Sequence, residues 1–171
     1  MDLLPHHNWR VTSNLHANHG PGPEQWVLLN LWFQEHLAGR EQNIPKTPPS
    51  TFKIKNGRAH FSVIPSSLDR LVETEIYYSY DPNCVTRFWK RASATKKGDT
   101  WKANFKVQSK LPLYVFALCR FKLAEEAVLE RGNTTMTFTL NSQLHSPIPG
   151  DLALSAIAKL SNSGLVGHFS K

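Results

Sequence analysis

The sequence contains few cysteines: Cys84 and Cys119 are the only two in 171 residues. Two cysteines without metal-ligand spacing exclude a cysteine-rich zinc site and a disulfide-dense scaffold. Cys119 lies inside an apolar run, where a buried free thiol is the usual state. A Cys84–Cys119 disulfide is compatible with the composition, and the sequence alone does not decide whether it forms.

Long apolar runs are also lacking. No run approaches the ~20 residues that a membrane-spanning helix needs. The opening MDLLPHHNWR has neither the basic nor the apolar segment of a signal peptide. The sequence therefore predicts no membrane partner.

Acidic residues are fewer than basic ones, 13 against 20, which gives a net charge of +7. The basic residues are spread along the chain: Lys96 and Lys97 precede a Gly-Asp turn, and Lys102 and Lys106 alternate with apolar residues. This distribution is typical of solvated strand faces, and net charge bears on solubility before function. The sequence predicts no nucleic-acid partner.

Composition divides the chain into four segments. Residues 1–39 contain a strand candidate, Trp9–Ser13, followed by a polar loop and a helix. Residues 40–50 are polar and proline-rich, as expected of a linker. Residues 51–145 carry short alternating strands, and residues 146–171 are interpreted as a C-terminal helix and tail.

The region 51–145 is expected to form an antiparallel β-sandwich, so the chain is mainly β. Asn56-Gly57 is the preferred two-residue hairpin turn between alternating segments. The nearly continuous apolar run Leu111–Leu123 predicts a central strand buried on both faces. Several short strands at this spacing are typical of a sandwich. A closing helix is predicted from Asp151 to about Ser161.

The helix that begins near Pro23 is apolar on several sides. Proline suits the first helical position, and Gly39 suits the residue after the helix end. A helix that is apolar nearly all round is covered by more than one neighbour. The β region supplies one neighbour, and the sequence offers no obvious second one. An exposed apolar face is therefore expected, either at Trp26, Leu29, Phe33 and Leu37 or at Leu28 and Trp32.

Candidate chemistry lies in the loop NLHANHGPGPEQW, between the predicted strand and helix. His16 and His19 occupy the position at which a hydrolase places its general base. With His6 and His7 they could instead bind a metal, but no third ligand stands at a familiar spacing. Incidental surface histidines are the third interpretation. No metal or cofactor site is predicted.

The run WRVTSNLHANHGPGPEQWVLLNLWFQEHLAGREQNIPKTP resembles the end of α/β-hydrolases of the acetyl xylan esterase and dienelactone hydrolase type. Such proteins end in a strand, a loop with the triad histidine, and a helix of the form seen in LWFQEHLAG. The later run IYYSYDPNCVTRFWKRASATKKGDTWKANFKV resembles the β-domain appended to secreted bacterial esterases and to PhoPQ-activated pathogenicity-related proteins. The resemblance implies a strand-loop-helix remnant of a hydrolase domain followed by a sandwich.

The sequence departs from the hydrolase pattern in two ways. The serine of such enzymes lies in G-x-S-x-G, upstream of the acid and the histidine, and this pentapeptide is absent. The family histidine follows Asn14 by three positions, where Ala17 stands, so His16 and His19 remain alternatives. The resemblance thus implies the C-terminal part of a serine ester hydrolase, inactive alone, acting on a carbohydrate ester. Its expected partner is a missing N-terminal hydrolase domain, or another partner covering helix 23–38.

A second hypothesis comes from a different class: a non-enzymatic β-sandwich module that binds carbohydrate or a protein. Aromatic side chains on a sheet face can stack on sugars, but more often they form a core or an interface. The aromatics in question are Tyr77, Tyr78, Tyr80, Phe88, Trp89 and Trp101.

Overall fold

The computed structural model describes residues 8–15, 22–108, 111–129 and 132–146. Within these residues one helix precedes eight strands, and the closing helix predicted from Asp151 lies outside them. The elements are α1 (Pro23–His36), β1 (Ser50–Lys55), β2 (Arg58–Val63), β3 (Leu71–Ser79), β4 (Lys90–Ala92), β5 (Ala94–Lys97), β6 (Thr100–Lys106), β7 (Tyr114–Val128) and β8 (Thr134–Asn141).

The strands form two four-stranded sheets in which every pairing is antiparallel. Sheet A has the order β1-β2-β6-β5, and sheet B has the order β4-β3-β7-β8. The apolar run predicted as a central strand lies in β7, between β3 and β8. The prediction of a mainly β, antiparallel sandwich is confirmed.

The hairpin between β1 and β2 turns at Asn56 and Gly57. Both residues have positive φ, 51° and 69°, which a two-residue type I′ turn requires at its central positions. Lys55 and Arg58 stand directly opposite each other at the base of the turn. The turn fixes the register of both strands. In this register the side chains of β1 alternate between partly buried and exposed, and the inward-facing side chains of β2 are buried.

The chain changes sheet between β4 and β5, at Ser93. Ala92 pairs with Ile76 of sheet B, whereas Ala94 pairs with Ala103 of sheet A. The sequence also predicts a strand over Arg87–Ala92, and in the structure this strand is confined to Lys90–Ala92. Arg87 lies outside the strand, and its guanidinium donates hydrogen bonds to the carbonyl oxygens of Asp81 and Pro82 in the preceding loop, at 2.8 and 3.2 Å.

Two hydrophobic clusters form the core, and each buries one face of the strands. The first lies between the sheets and consists of Phe61, Val63, Ile76, Ala92, Ala103, Val115 and Ala117. The second joins β7 and β8 to the helix and consists of Val27, Leu28, Ile44, Cys119, Phe121, Phe138 and Leu140. The helix is therefore packed onto the sandwich.

The predicted strand Trp9–Ser13 is wrong. The segment is irregular and bonds to the edge strand β8 through a single backbone hydrogen bond, from Asn141 N to Val11 O at 2.7 Å. A side-chain bond joins the hydroxyls of Thr12 and Thr139 at 2.7 Å. One backbone bond does not make a ladder, because a strand needs a partner along its length.

The linker predicted at 40–50 is irregular up to Pro49, but it is packed against the domain. Ile44, Pro45 and Pro48 are buried. The Pro45 carbonyl accepts from Arg10 Nε at 2.6 Å, and Thr47 Oγ1 donates to the Trp9 carbonyl at 2.7 Å. This segment therefore fixes the first part of the chain to the sandwich.

Candidate functional site

The predicted catalytic histidines, His16 and His19, lie outside the described residues. The residues on either side of their loop are described. Ser13, the nearest hydroxyl before it, accepts a hydrogen bond from Asn141 Nδ2 at 2.5 Å. Gly22, directly after it, donates its N–H to Gln25 Oε1 at 2.6 Å and begins the helix. The loop therefore leaves and re-enters the domain at fixed positions.

The described carboxylates that are nearest to this loop in sequence have other partners. Glu24, in the first turn of α1, forms an ion pair with Arg120 of β7. Glu35 Oε2 accepts from the backbone N–H of Ile44 at 3.3 Å. A triad histidine needs a carboxylate on one ring nitrogen and a nucleophile at the other. In the described part of residues 1–50, no hydrogen bond joins a serine to a carboxylate.

A serine–histidine pair that the sequence did not suggest joins Ser50 and His145. Ser50 Oγ lies 2.9 Å from His145 Nε2, and the imidazole packs against the rings of Phe52 and Phe61. Ser50 begins β1 in sheet A, while His145 bridges Val115 of sheet B. We interpret the pair as a structural link between the sheets. Since 95 residues separate the two, no local sequence signal marks it.

A groove lined by described residues lies between α1 and the end of β7. Pairing of β3 with β7 starts at Leu71 and Phe121, whereas β7 continues to Val128. The overhanging end of β7 and the helix enclose a groove of about 1190 Å³. Its apolar lining includes Trp26, Leu29, Phe33, Leu123 and Val128. Its rim carries Arg40, Glu41, Arg70, Glu125 and Glu126.

The helix face that lines this groove is exposed. Trp26, Leu29 and Phe33 are 46%, 40% and 49% accessible, and Leu37, directly after the helix, is 78% accessible. Val27 and Leu28, by contrast, are buried at 4% and 6% in the cluster that joins the helix to β7 and β8. Of the two faces predicted to be uncovered, the one containing Trp26 is confirmed. Contiguous apolar surface of this kind is typical of an interaction site.

The cysteines do not form a disulfide: Cys84 is exposed and free, and Cys119 is buried and free. Burial raises the pKa of the Cys119 thiol to about 12, and a hydrogen bond from Thr74 partly opposes this rise. A thiol with this pKa stays protonated near neutral pH and is a poor nucleophile. Among the residues that the structure describes, no group of three or more His, Cys, Asp or Glu side chains could hold a metal ion.

The aromatic residues considered for sugar stacking mostly pack against other side chains. Tyr78 stacks on Phe105 at 4.4 Å between ring centroids and contacts the core between the sheets. Trp89 meets Phe116 edge-on at 4.7 Å, and Tyr77 stacks on the same ring at 6.1 Å. Burial and a hydrogen bond to Glu75 raise the pKa of Tyr77 to about 12. These rings therefore form packing contacts and do not make an open row.

Comparison with protein-family models, with curated proteins and with solved structures finds no match to this chain. In the described ranges, no helix is long and apolar enough to span a membrane.

Proposed function

We propose that this chain is the C-terminal part of an α/β-hydrolase-like ester hydrolase, with α1 as the last helix of the hydrolase domain and the sandwich as an appended domain. In this proposal the chain alone does not hydrolyse esters. His16 or His19 supplies the general base, and the nucleophile, the acid and the oxyanion donors come from an N-terminal domain.

The observation that carries the proposal is the division of α1 into two apolar sides. Val27 and Leu28 are buried against β7 and β8. Trp26 and Phe33 are about half exposed on the groove side. Helices of α/β domains cover the faces of a parallel sheet with such apolar surfaces. The exposed side of α1 has the chemistry needed to pack against that sheet.

The contacts of the first segment give further support. Ser13, Glu24 and Glu35 are engaged with Asn141, Arg120 and the Ile44 backbone, respectively. These contacts favour a structural use for the nearest hydroxyl and carboxylates. A histidine in the adjacent loop then depends on partners from outside this segment for acyl-transfer chemistry.

The proposal also gives the sandwich a role. The second core cluster, the Glu24–Arg120 ion pair and the packed linker hold α1 against sheet B. Because the histidine loop enters α1 at Gly22, the sandwich holds the end of that loop in place. Positioning a general base within hydrogen-bond reach of its nucleophile is a strict geometric requirement. The sandwich thus acts as a support for the catalytic histidine.

A first test is the coding sequence directly upstream of the Met1 codon. The proposal expects an in-frame G-x-S-x-G followed by an acidic residue, the order found in α/β-hydrolases. An in-frame stop codon immediately before Met1 would overturn it.

A second test is hydroxyl-radical footprinting of the 171-residue chain and of the polypeptide extended upstream. Trp26 and Phe33 should be modified readily in the short chain and protected in the extended one. Phe88, which is 62% exposed and far from α1 in sequence, serves as the control and should be modified in both. Equal modification of Trp26 and Phe33 in the two polypeptides would contradict docking through this face.

A further inference from the structure

The solvent face of sheet A carries basic side chains from all four of its strands. Side chains alternate between the two faces along each strand, and directly paired residues of neighbouring strands lie on the same face. The residues that share one face are said here to have the same parity. Lys55 and Lys106 both stand opposite Arg58, and Lys53 stands opposite His60. No aspartate or glutamate occupies this parity in the four strands. We call this surface the basic face; its lysines and arginine, all exposed, are Lys53, Lys55, Arg58, Lys97, Lys102 and Lys106.

The basic face is not neutralised within the described residues. Their ion pairs join Arg91 to Glu73 and Glu75, and Arg120 to Glu24, all on other elements. On the basic face itself, Arg58 Nε donates to Asn104 Oδ1 at 2.5 Å, which holds the guanidinium against the sheet. A neutral amide orients this charge without cancelling it.

This arrangement has a physical cost. Directly opposed side chains on neighbouring strands lie about 5 Å apart, and like charges at that distance destabilise a sheet. The row Lys55–Arg58–Lys106 places three positive charges in this relation. An anion lying across the row would remove the repulsion and gain several ion pairs at once.

We propose that the basic face binds a linear anionic polysaccharide, one whose sugars carry carboxylate or sulfate groups. Charge complementarity selects an anion, and a row of cations that crosses neighbouring strands suits a linear chain. The same face also carries the polar side chains of Thr51, Ser62, Thr95 and Asn104. Thr51 bonds to Ser62, and Asn104 bonds to Arg58 and His60. Each hydroxyl and amide keeps further hydrogen-bonding capacity for sugar hydroxyls. This inference does not require the proposed hydrolase function, since a binding surface acts without a catalytic domain.

The same face fits nucleic acid less well. Single-stranded nucleic acids bind to basic grooves in which aromatic rings stack on the bases. No phenylalanine, tyrosine or tryptophan occupies the solvent parity of β1, β2, β5 or β6. Duplex DNA is read by a helix or a two-stranded ribbon that enters a groove, whereas the basic face spans all four strands of sheet A.

The test is binding of the purified 171-residue protein to polygalacturonate and to heparin, measured by calorimetry at low and at physiological salt. These probes separate carboxylate from sulfate as the preferred anion. Dextran is the neutral control, and duplex DNA and anionic phospholipid vesicles are the competing polyanions. The binding variant combines Lys55→Gln, Arg58→Gln and Lys106→Gln. The matched control combines Lys46→Gln, Lys90→Gln and Lys122→Gln, which remove the same charge from exposed positions off the basic face.

We expect at least one anionic polysaccharide to bind, with affinity that falls as salt rises. The binding variant should weaken it about tenfold, since each exposed ion pair contributes modestly, and the control variant should bind like the wild type. Circular dichroism melting checks that both variants fold; if the first does not, Lys53→Gln with Lys102→Gln replaces it. Equal weakening in both variants, or no binding above dextran, would overturn the proposal. Tighter binding of DNA or vesicles than of either polysaccharide would also overturn it.

Discussion

Leu28 and Leu29 are neighbours in α1 whose side chains face opposite environments. Leu28 is 6% accessible in the cluster with Phe121 and Phe138, whereas Leu29 is 40% accessible and lines the groove. Truncating a buried leucine to alanine costs about 2–5 kcal/mol, through lost burial and a residual cavity. Leu28 lies in the part of the core that α1 covers, so we expect Leu28→Ala to cost about 3 kcal/mol.

Leu29→Ala is the matched control, since it makes the same chemical change in the same helix turn and the helix propensity changes equally. A leucine that remains two-fifths exposed loses less buried area, so we expect a cost of about 1 kcal/mol or less. Urea unfolding followed by circular dichroism gives both free energies of unfolding, and equal slopes with denaturant confirm a common unfolded state. Equal losses for the two variants would refute the assignment of the buried and exposed sides of α1.

Three further predictions concern the sandwich. Iodoacetamide at pH 8 should label Cys84 in the folded protein and Cys119 only after unfolding, because burial raises the pKa of the Cys119 thiol to about 12. Rapid labelling of both cysteines in the folded protein, detected by mass spectrometry, would contradict this. Gly57→Ala should cost roughly 1–2 kcal/mol of unfolding free energy in urea, because Gly57 has φ of +69°; an unchanged midpoint would contradict the type I′ turn. Lys55→Glu, opposite Arg58, should raise the melting temperature at low salt by relieving like-charge repulsion, and a gain that persists at high salt would not be electrostatic.

Much of the fold was predictable because its signals are local. Asn56-Gly57 specifies a turn through its own backbone preferences, and the apolar run within β7 specifies a buried strand through composition. The crossover at Ser93 has no such signal, because no glycine or proline marks the point at which the chain changes sheet. In the segment Trp9–Ser13, apolar and polar residues alternate as they do in a strand. A strand also needs a partner along its length, and β8 forms only one backbone hydrogen bond with this segment.

The candidate site was predictable only in part. The composition of α1 indicated an apolar helix with an uncovered side, and the structure places that side at Trp26, Leu29 and Phe33. The opposite wall of the groove comes from the overhanging end of β7, about a hundred residues later in the chain. The Ser50–His145 pair and the basic face are likewise products of strand register, which pairs residues that the sequence separates.

The central proposal, that this chain is the catalytically incomplete end of an ester hydrolase, is tested most directly by hydrolysis of an acetyl ester. The purified 171-residue protein should give background rates, unchanged by His16→Ala or His19→Ala. The upstream-extended polypeptide should turn over the ester, and one of the two substitutions should lower its rate by several orders of magnitude, as expected for loss of a triad histidine. Robust turnover by the 171-residue chain alone that disappears in either variant would contradict the proposal.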